Sequence, residues 1–168
     1  MRVYLPATFS MLMELNENTV VTARHGWAFA VTPALREFYT SGEEEELEAI
    51  AFDDASEASL RLLAIGDQER FPHRRVVISA DISDSAVTSM PDLGEAVVKL
   101  DPAQVQLSEV AALHVDIEES EAATARAIEA IDASDLGEED AELTVGDAQD
   151  NYLAFYDPSE LPFLIDLL

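Results

Sequence analysis

The chain has 168 residues, 48% of them hydrophobic, and sets 35 acidic residues against 9 basic ones for a formal charge of −26. Its length and hydrophobic share suit one globular domain with a sizeable core, while the charge repels phosphate backbones and anionic lipid and so argues against direct nucleic-acid binding or a membrane surface. With no cysteine, disulfides, thiolate nucleophiles and zinc–thiolate centres are excluded.

Lys99 is the sole lysine and arginine carries the remaining positive charge, a bias that suits a salt-adapted organism or a high-GC genome. The N-terminal MRVYLPATFSML lacks the apolar core of a signal peptide, and no stretch approaches membrane-spanning length, so the chain reads as soluble and cytoplasmic.

In chain order, Arg2 to Pro6 alternates as a strand with Val3 and Leu5 inward. Thr8 or Ser10 caps a short helix that buries Phe9, Leu12, Met13 and Leu15, and residues Thr19 to Gly26 form a polar connection. Ala28 to Val31, apolar on both sides, reads as a strand covered on both faces. Thr32 and Pro33 then supply an N-cap and a first helical residue. Ser41 and Glu44 read as a capping box opening a long acidic helix, with Glu43 to Glu46 at the positive end of its dipole. Its apolar stripe is Leu47, Ile50, Ala51, Ala55, Ala58, Leu62 and Ile65, ended by Gly66.

The next segment, DQERFPHRR, is the one basic cluster. Arg70, Arg74 and Arg75, near His73, are candidate anion-binding residues, although no glycine-rich backbone cradle accompanies them and arginines pairing with surrounding carboxylates is the plainer reading. Val76 to Ile82 is a strand, with Ser79 and Asp81 opposite its apolar face. A loop leads to a short strand over Ala96 to Leu100, and Gln104 to Glu109 is irregular or a helical turn. Ala111 to Asp116 is a third strand, running into Asp116 and Glu119 as a helix cap pair. The helix from Ile117 to about Ala133 presents Ile128 and Ile131.

From Asp116 to Asp150 the chain has thirteen acids and one base, Arg126, so residues near 134–150 are expected as a mobile acidic loop. Leu153 to Tyr156 is a last strand, and Asp157, Pro158, Ser159 and Glu160 start a short helix. Phe163, Leu164, Ile165, Leu167 and Leu168 are too apolar to dangle, so the C-terminus should dock on the body or on a second subunit.

Strands alternating with helices favour an α/β fold, a mixed sheet covered by helices, with its antiparallel part over residues 76–100. A two-layer α+β sandwich is the alternative. Beyond the C-terminal ends of strands, where ligands gather in open sheets, the sequence places Thr8, Thr32, Asp81 and Asp116, with His114 two residues before Asp116. Asp81, His114 and Asp116 are therefore the candidates for a catalytic or metal site, although His114 also suits a packed strand residue. The aromatics Trp27, Phe38, Tyr39, Tyr152, Phe155 and Tyr156 read mainly as core. No serine elbow, phosphate loop or zinc-spaced histidine pair is present, and no cofactor is specified.

The segments MRVYLPAT, AFAVTPALREFY, EEELEAIA with ASLRLLA, RRVVISADI, VAALHVD and YDPSELPFL together resemble an uncharacterised actinobacterial protein family of unknown function. The resemblance spans nearly the whole chain and implies a bacterial cytoplasmic protein from a high-GC genome. It brings no activity, cofactor or catalytic residue. Two readings follow: an acidic, non-enzymatic binding or protein-interaction protein, self-association through the apolar C-terminus included, or a small hydrolase-like or metal-binding enzyme using Asp81, His114 and Asp116. Acidic mimicry of nucleic acid toward a basic protein is a third, more remote reading.

Overall fold

The computed structural model describes residues 1–66 and 71–167. Its main sheet has seven strands in the order β5-β6-β3-β1-β4-β8-β9, formed by β1 (Arg2–Ala7), β3 (Trp27–Phe29), β4 (Val76–Asp81), β5 (Val87–Ser89), β6 (Val97–Leu100), β8 (Val110–Asp116) and β9 (Leu153–Tyr156). A separate two-stranded ladder pairs β2 (Val20–Thr22) with β7 (Gln104–Gln106). The helices are α1 (Phe9–Asn18), α2 (Pro33–Phe38), α3 (Glu44–Ile65), α4 (Glu121–Asp135), α5 (Glu139–Gln149) and α6 (Leu161–Asp166). The helix-covered sheet is the architecture expected of the α/β class. Its ladders all run antiparallel, so the parallel pairings of a mixed sheet give way to antiparallel neighbours even where a helix intervenes, as between β1 and β4.

Alternation along the central strands divides the core. Val3, Leu5 and Ala7 of β1, Val76, Ile78 and Ala80 of β4, and Leu113 and Val115 of β8 pack with Phe9, Leu12 and Leu15 of α1 and Leu161 and Leu164 of α6. On the opposite face Tyr4 and Val77 meet Leu47, Ala51 and Ala55 of α3. A third cluster joins Leu60 and Leu63 of α3 to Ile128 and Ile131 of α4 and Val145 and Ala148 of α5. This last contact explains the acidic stretch near 134–150: it contains a helix rather than a loop, because Ala141, Val145 and Ala148 recur on one buried face while the acids take the other.

Local expectations fare unevenly. Thr8 caps α1 and Thr32 caps α2, accepting from Met11 and Leu35 respectively, and Asp157 with Glu160 forms a capping box before α6. The expected Ser41–Glu44 box does not form: Glu43 occupies the N-cap without a side-chain hydrogen bond, and Glu44 turns to Arg36, with contacts of 2.6 and 2.8 Å. The α3 stripe also rotates. Leu47, Ala51 and Ala55 are buried as expected, but Ser56, Ser59, Leu60 and Leu63 continue the buried face, and Ile65 is 67% exposed. Val20 to Thr22, inside the expected polar connection, is strand β2. At the C-terminus Leu161 and Leu164 dock on the core, whereas Phe163 and Leu167 face outward; Leu168 lies outside the described residues.

The small residues toward the C-terminal half of α3 let it approach the sheet. Ser59 Oγ donates to the carbonyl of Ala7 at 2.8 Å and accepts from the amide of Val76 at 3.0 Å, tying α3 to adjoining ends of β1 and β4. Ser59→Ala should cost about 1–3 kcal/mol in urea unfolding, because it orphans two buried backbone groups. A cost under about 0.5 kcal/mol would show that the backbone groups find other partners.

Candidate functional site

Asp81, His114 and Asp116 share the α3 face of the sheet but do not converge. In the β4–β8 register Val76 lies opposite Val115, Val77 opposite His114 and Ala80 opposite Val110. Asp116, which that register sets opposite Arg75, and Asp81 therefore stand at opposite ends of β4, about 20 Å apart along the strand at 3.3 Å per residue. Antiparallel neighbours put successive strand C-termini at opposite sheet ends, so the gathering expected of an open parallel sheet does not occur.

Each of the three has its own partner. Asp81 takes Arg2 Nε at 2.7 Å and Nη2 at 3.1 Å, and that hydrogen bond holds its carboxyl below the usual range. His114 Nε2 lies 2.8 Å from Ser79 Oγ, with its ring edge-on to Phe52 and Phe155 at centroid distances of 4.8 and 6.0 Å. Burial, with a smaller contribution from Arg2, lowers its pKa to about 4. A histidine so weakly basic is a poor proton acceptor at neutral pH, and Ser79 beneath it is only 2% exposed.

Asp116 does not cap the following helix. It forms a bidentate pair with Arg75, Nε to Oδ2 at 2.9 Å and Nη2 to Oδ1 at 2.7 Å, between side chains 1% and 0% exposed. The Arg75 amide and Thr124 hydroxyl also donate to Oδ2, and the remaining guanidinium donors reach Gln149 Oε1 and the Asn151 carbonyl. Arg75, expected among the anion binders, is thus consumed inside the fold. Arg74 pairs with Glu121 at 2.8 Å, and Arg70 lies outside the described residues. Among the described residues no group of three His, Asp or Glu side chains could hold a metal ion.

The structure opens elsewhere. A groove of about 450 Å³ lies between the C-terminal half of α3 and the β3–β6 side of the sheet, walled by Trp27, Phe29, Leu62, Ile65, Leu93 and Val97. Its origin is local. Pro6 has no N–H to donate, and the β1–β3 ladder consists of the single pair Tyr4↔Phe29, leaving Pro6 and Trp27 to line the groove. The turn before Trp27 carries His25 at φ 55° and Gly26 at φ 76°; a Cβ on Gly26 would lie 3.2 Å from the Leu100 carbonyl oxygen, so glycine is needed there. That turn puts Arg24 and His25 on the rim, where they also border a second cleft of about 510 Å³ toward Thr8, Glu14 and His73.

Among the described residues the groove lining contains Arg24, Arg61 and His25 but no carboxylate. Arg61 is engaged by Asp135 and Glu57. Among the described residues Arg24 has no ion-pair partner, and Lys99, cross-strand from Trp27, sets its ammonium 5.5 Å from the indole centroid. Sequence reasoning assigned Trp27, Leu62 and Ile65 to the core and so missed the groove. One signal was present: Asn18 to Arg36 contains no acid, in a chain where acids outnumber bases almost four to one.

Among the described residues no helix is long and apolar enough to cross a membrane. No curated protein and no solved structure matches the chain. A family described as being of unknown function, DUF6912, matches residues 1–165, and the chain belongs to it.

Proposed function

We propose that the protein is a non-enzymatic binding protein whose recognition site is the Trp27 groove. The observation that carries this reading is an apolar groove among the described residues: Leu62 and Ile65 of α3 face Trp27, Phe29 and Val97 of the sheet across about 450 Å³, within the range of small-molecule sites. Burying even a few methylenes there contributes about 0.8 kcal/mol each. The hydrolase-like or metal-binding alternative at Asp81, His114 and Asp116 has the Ser79–His114 hydrogen bond in its favour, but a buried hydroxyl offers a substrate no approach, and both carboxylates are already paired.

Trp27 is the only tryptophan, so its emission reports the groove directly. Titration with 1-octanol, a neutral apolar probe, should give a saturable change in Trp27 fluorescence. Ile65→Glu, at an exposed helix position, should leave thermal stability within about 0.5 kcal/mol and weaken octanol at least about tenfold, equivalent to 1.4 kcal/mol. A wild-type titration without a saturable change would end the reading.

A further inference from the structure

We infer that the ligand of this groove is an organic anion, a carboxylate or phosphate ester on an apolar body, with its head held at Arg24 and His25; the inference rests on the groove being the recognition site. It starts from where positive charge goes in this chain. Arg2, Arg36, Arg61, Arg74 and Arg75 are each ion-paired to a carboxylate. Among the described residues, Arg24, Lys99 and Arg126 are the basic side chains with no such pair. One of these three, Arg24, stands on the groove rim, and a second, Lys99, lies outside the lining but sets its ammonium 5.5 Å from the Trp27 ring.

With 35 acids to 9 bases, an average cleft would be lined by carboxylates. Among the described residues this one has none, although it carries two arginines and a histidine. The apolar wall ends at these donors. Arg24 presents a planar guanidinium fork that matches a carboxylate or phosphate, and His25 offers a ring N–H in either charge state. The left-handed backbone at His25 and Gly26 fixes the turn that carries both donors. The surrounding field disfavours anions in general, so a ligand of this class must bring enough apolar body to fill the groove, and small inorganic anions should be rejected.

Three probes test this on the full chain through Trp27 emission: octanoate, octyl phosphate and 1-octanol. Octanoate or octyl phosphate should bind at least about tenfold tighter than octanol, the preferred anion naming the head group. Raising the salt should narrow the difference, as expected for an exposed charge contact. Arg24→Gln should abolish the preference for the anions over octanol. Arg126→Gln, which makes the same change in net charge on α4 outside the groove lining, should alter nothing. If octanol binds and neither anion binds tighter, or if Arg24→Gln and Arg126→Gln behave alike, the inference fails while the groove reading stands. If none of the three perturbs Trp27, both fail.

Discussion

Asp116→Ala is expected to destabilise the protein by roughly 3–5 kcal/mol, because it leaves the Arg75 guanidinium buried without its countercharge. For a chain of this size that corresponds to a fall in midpoint of about 10 °C. The magnitude follows from how completely the pair is enclosed: both side chains are essentially inaccessible, and Asp116 accepts four hydrogen bonds, three from Arg75 and one from Thr124. The network reaches further, since Gln149 takes Arg75 Nη1 at 2.8 Å and donates to the Asp53 carbonyl at 3.0 Å. One carboxylate thereby links β4, β8 and α4 directly, and α3 and α5 through Arg75 and Gln149. A double variant, Arg75→Met with Asp116→Leu, should recover most of the loss, because replacing both charges removes the desolvation cost along with the attraction. Urea unfolding decides it: a single-variant cost below about 1 kcal/mol would show that water or a neighbouring carboxylate substitutes for Asp116.

The contrast between Asp116 and the groove shows what the sequence could carry. Strands with strong alternation, such as Val76 to Asp81 and Val110 to Asp116, were legible, as were the caps at Thr8, Thr32 and Asp157, because each depends on neighbours in the chain. The Ser41–Glu44 box had the right spacing and failed through a competing tertiary partner: Arg36, eight residues from Glu44, takes the carboxylate. The α5 helix was hidden by its acids, since its buried face is only Ala141, Val145 and Ala148 and needs α4 to cover it. Asp116 read as a cap because the spacing to Glu119 is local, whereas its partner Arg75 is 41 residues away. The groove was least legible. It exists because Leu62 and Ile65, in step with the apolar stripe, face a place where the sheet does not come up to meet them, and no local pattern records a missing neighbour.

Two half-buried groups should tilt stability between pH 7 and 4 in opposite directions, and single variants should separate them. Burial, aided by Arg2, holds His114 at about 4, below its ordinary 6.5. Between those values the unfolded chain binds a proton that the folded chain refuses. The stability tied to the neutral imidazole is therefore complete above pH 6.5 and lost as the pH falls to 4. Asp54 is raised from 3.8 to about 6, first by burial and then by Glu57, Asp53 and Glu95, with Arg61 opposing. Here the folded chain binds the proton more readily, so the penalty for an ionised Asp54 is present at pH 7 and relieved as the pH falls through 6. Both sites are partly open to water, which limits each effect to about 1–2 kcal/mol. Asp54→Asn should accordingly be more stable than the wild type at pH 7 by that amount and lose its advantage by pH 4. His114→Phe carries a constant offset from the lost Ser79 hydrogen bond, but relative to the wild type it should gain about 1–2 kcal/mol between pH 6.5 and 4. The general relief of charge repulsion on acidification is common to all three proteins and cancels in the differences. Urea midpoints measured every half pH unit give the two curves. Parallel slopes for the two variants would refute the opposition, and opposite slopes would establish that the fold keeps His114 neutral and structural while it tolerates Asp54 as a carboxylate only at a cost.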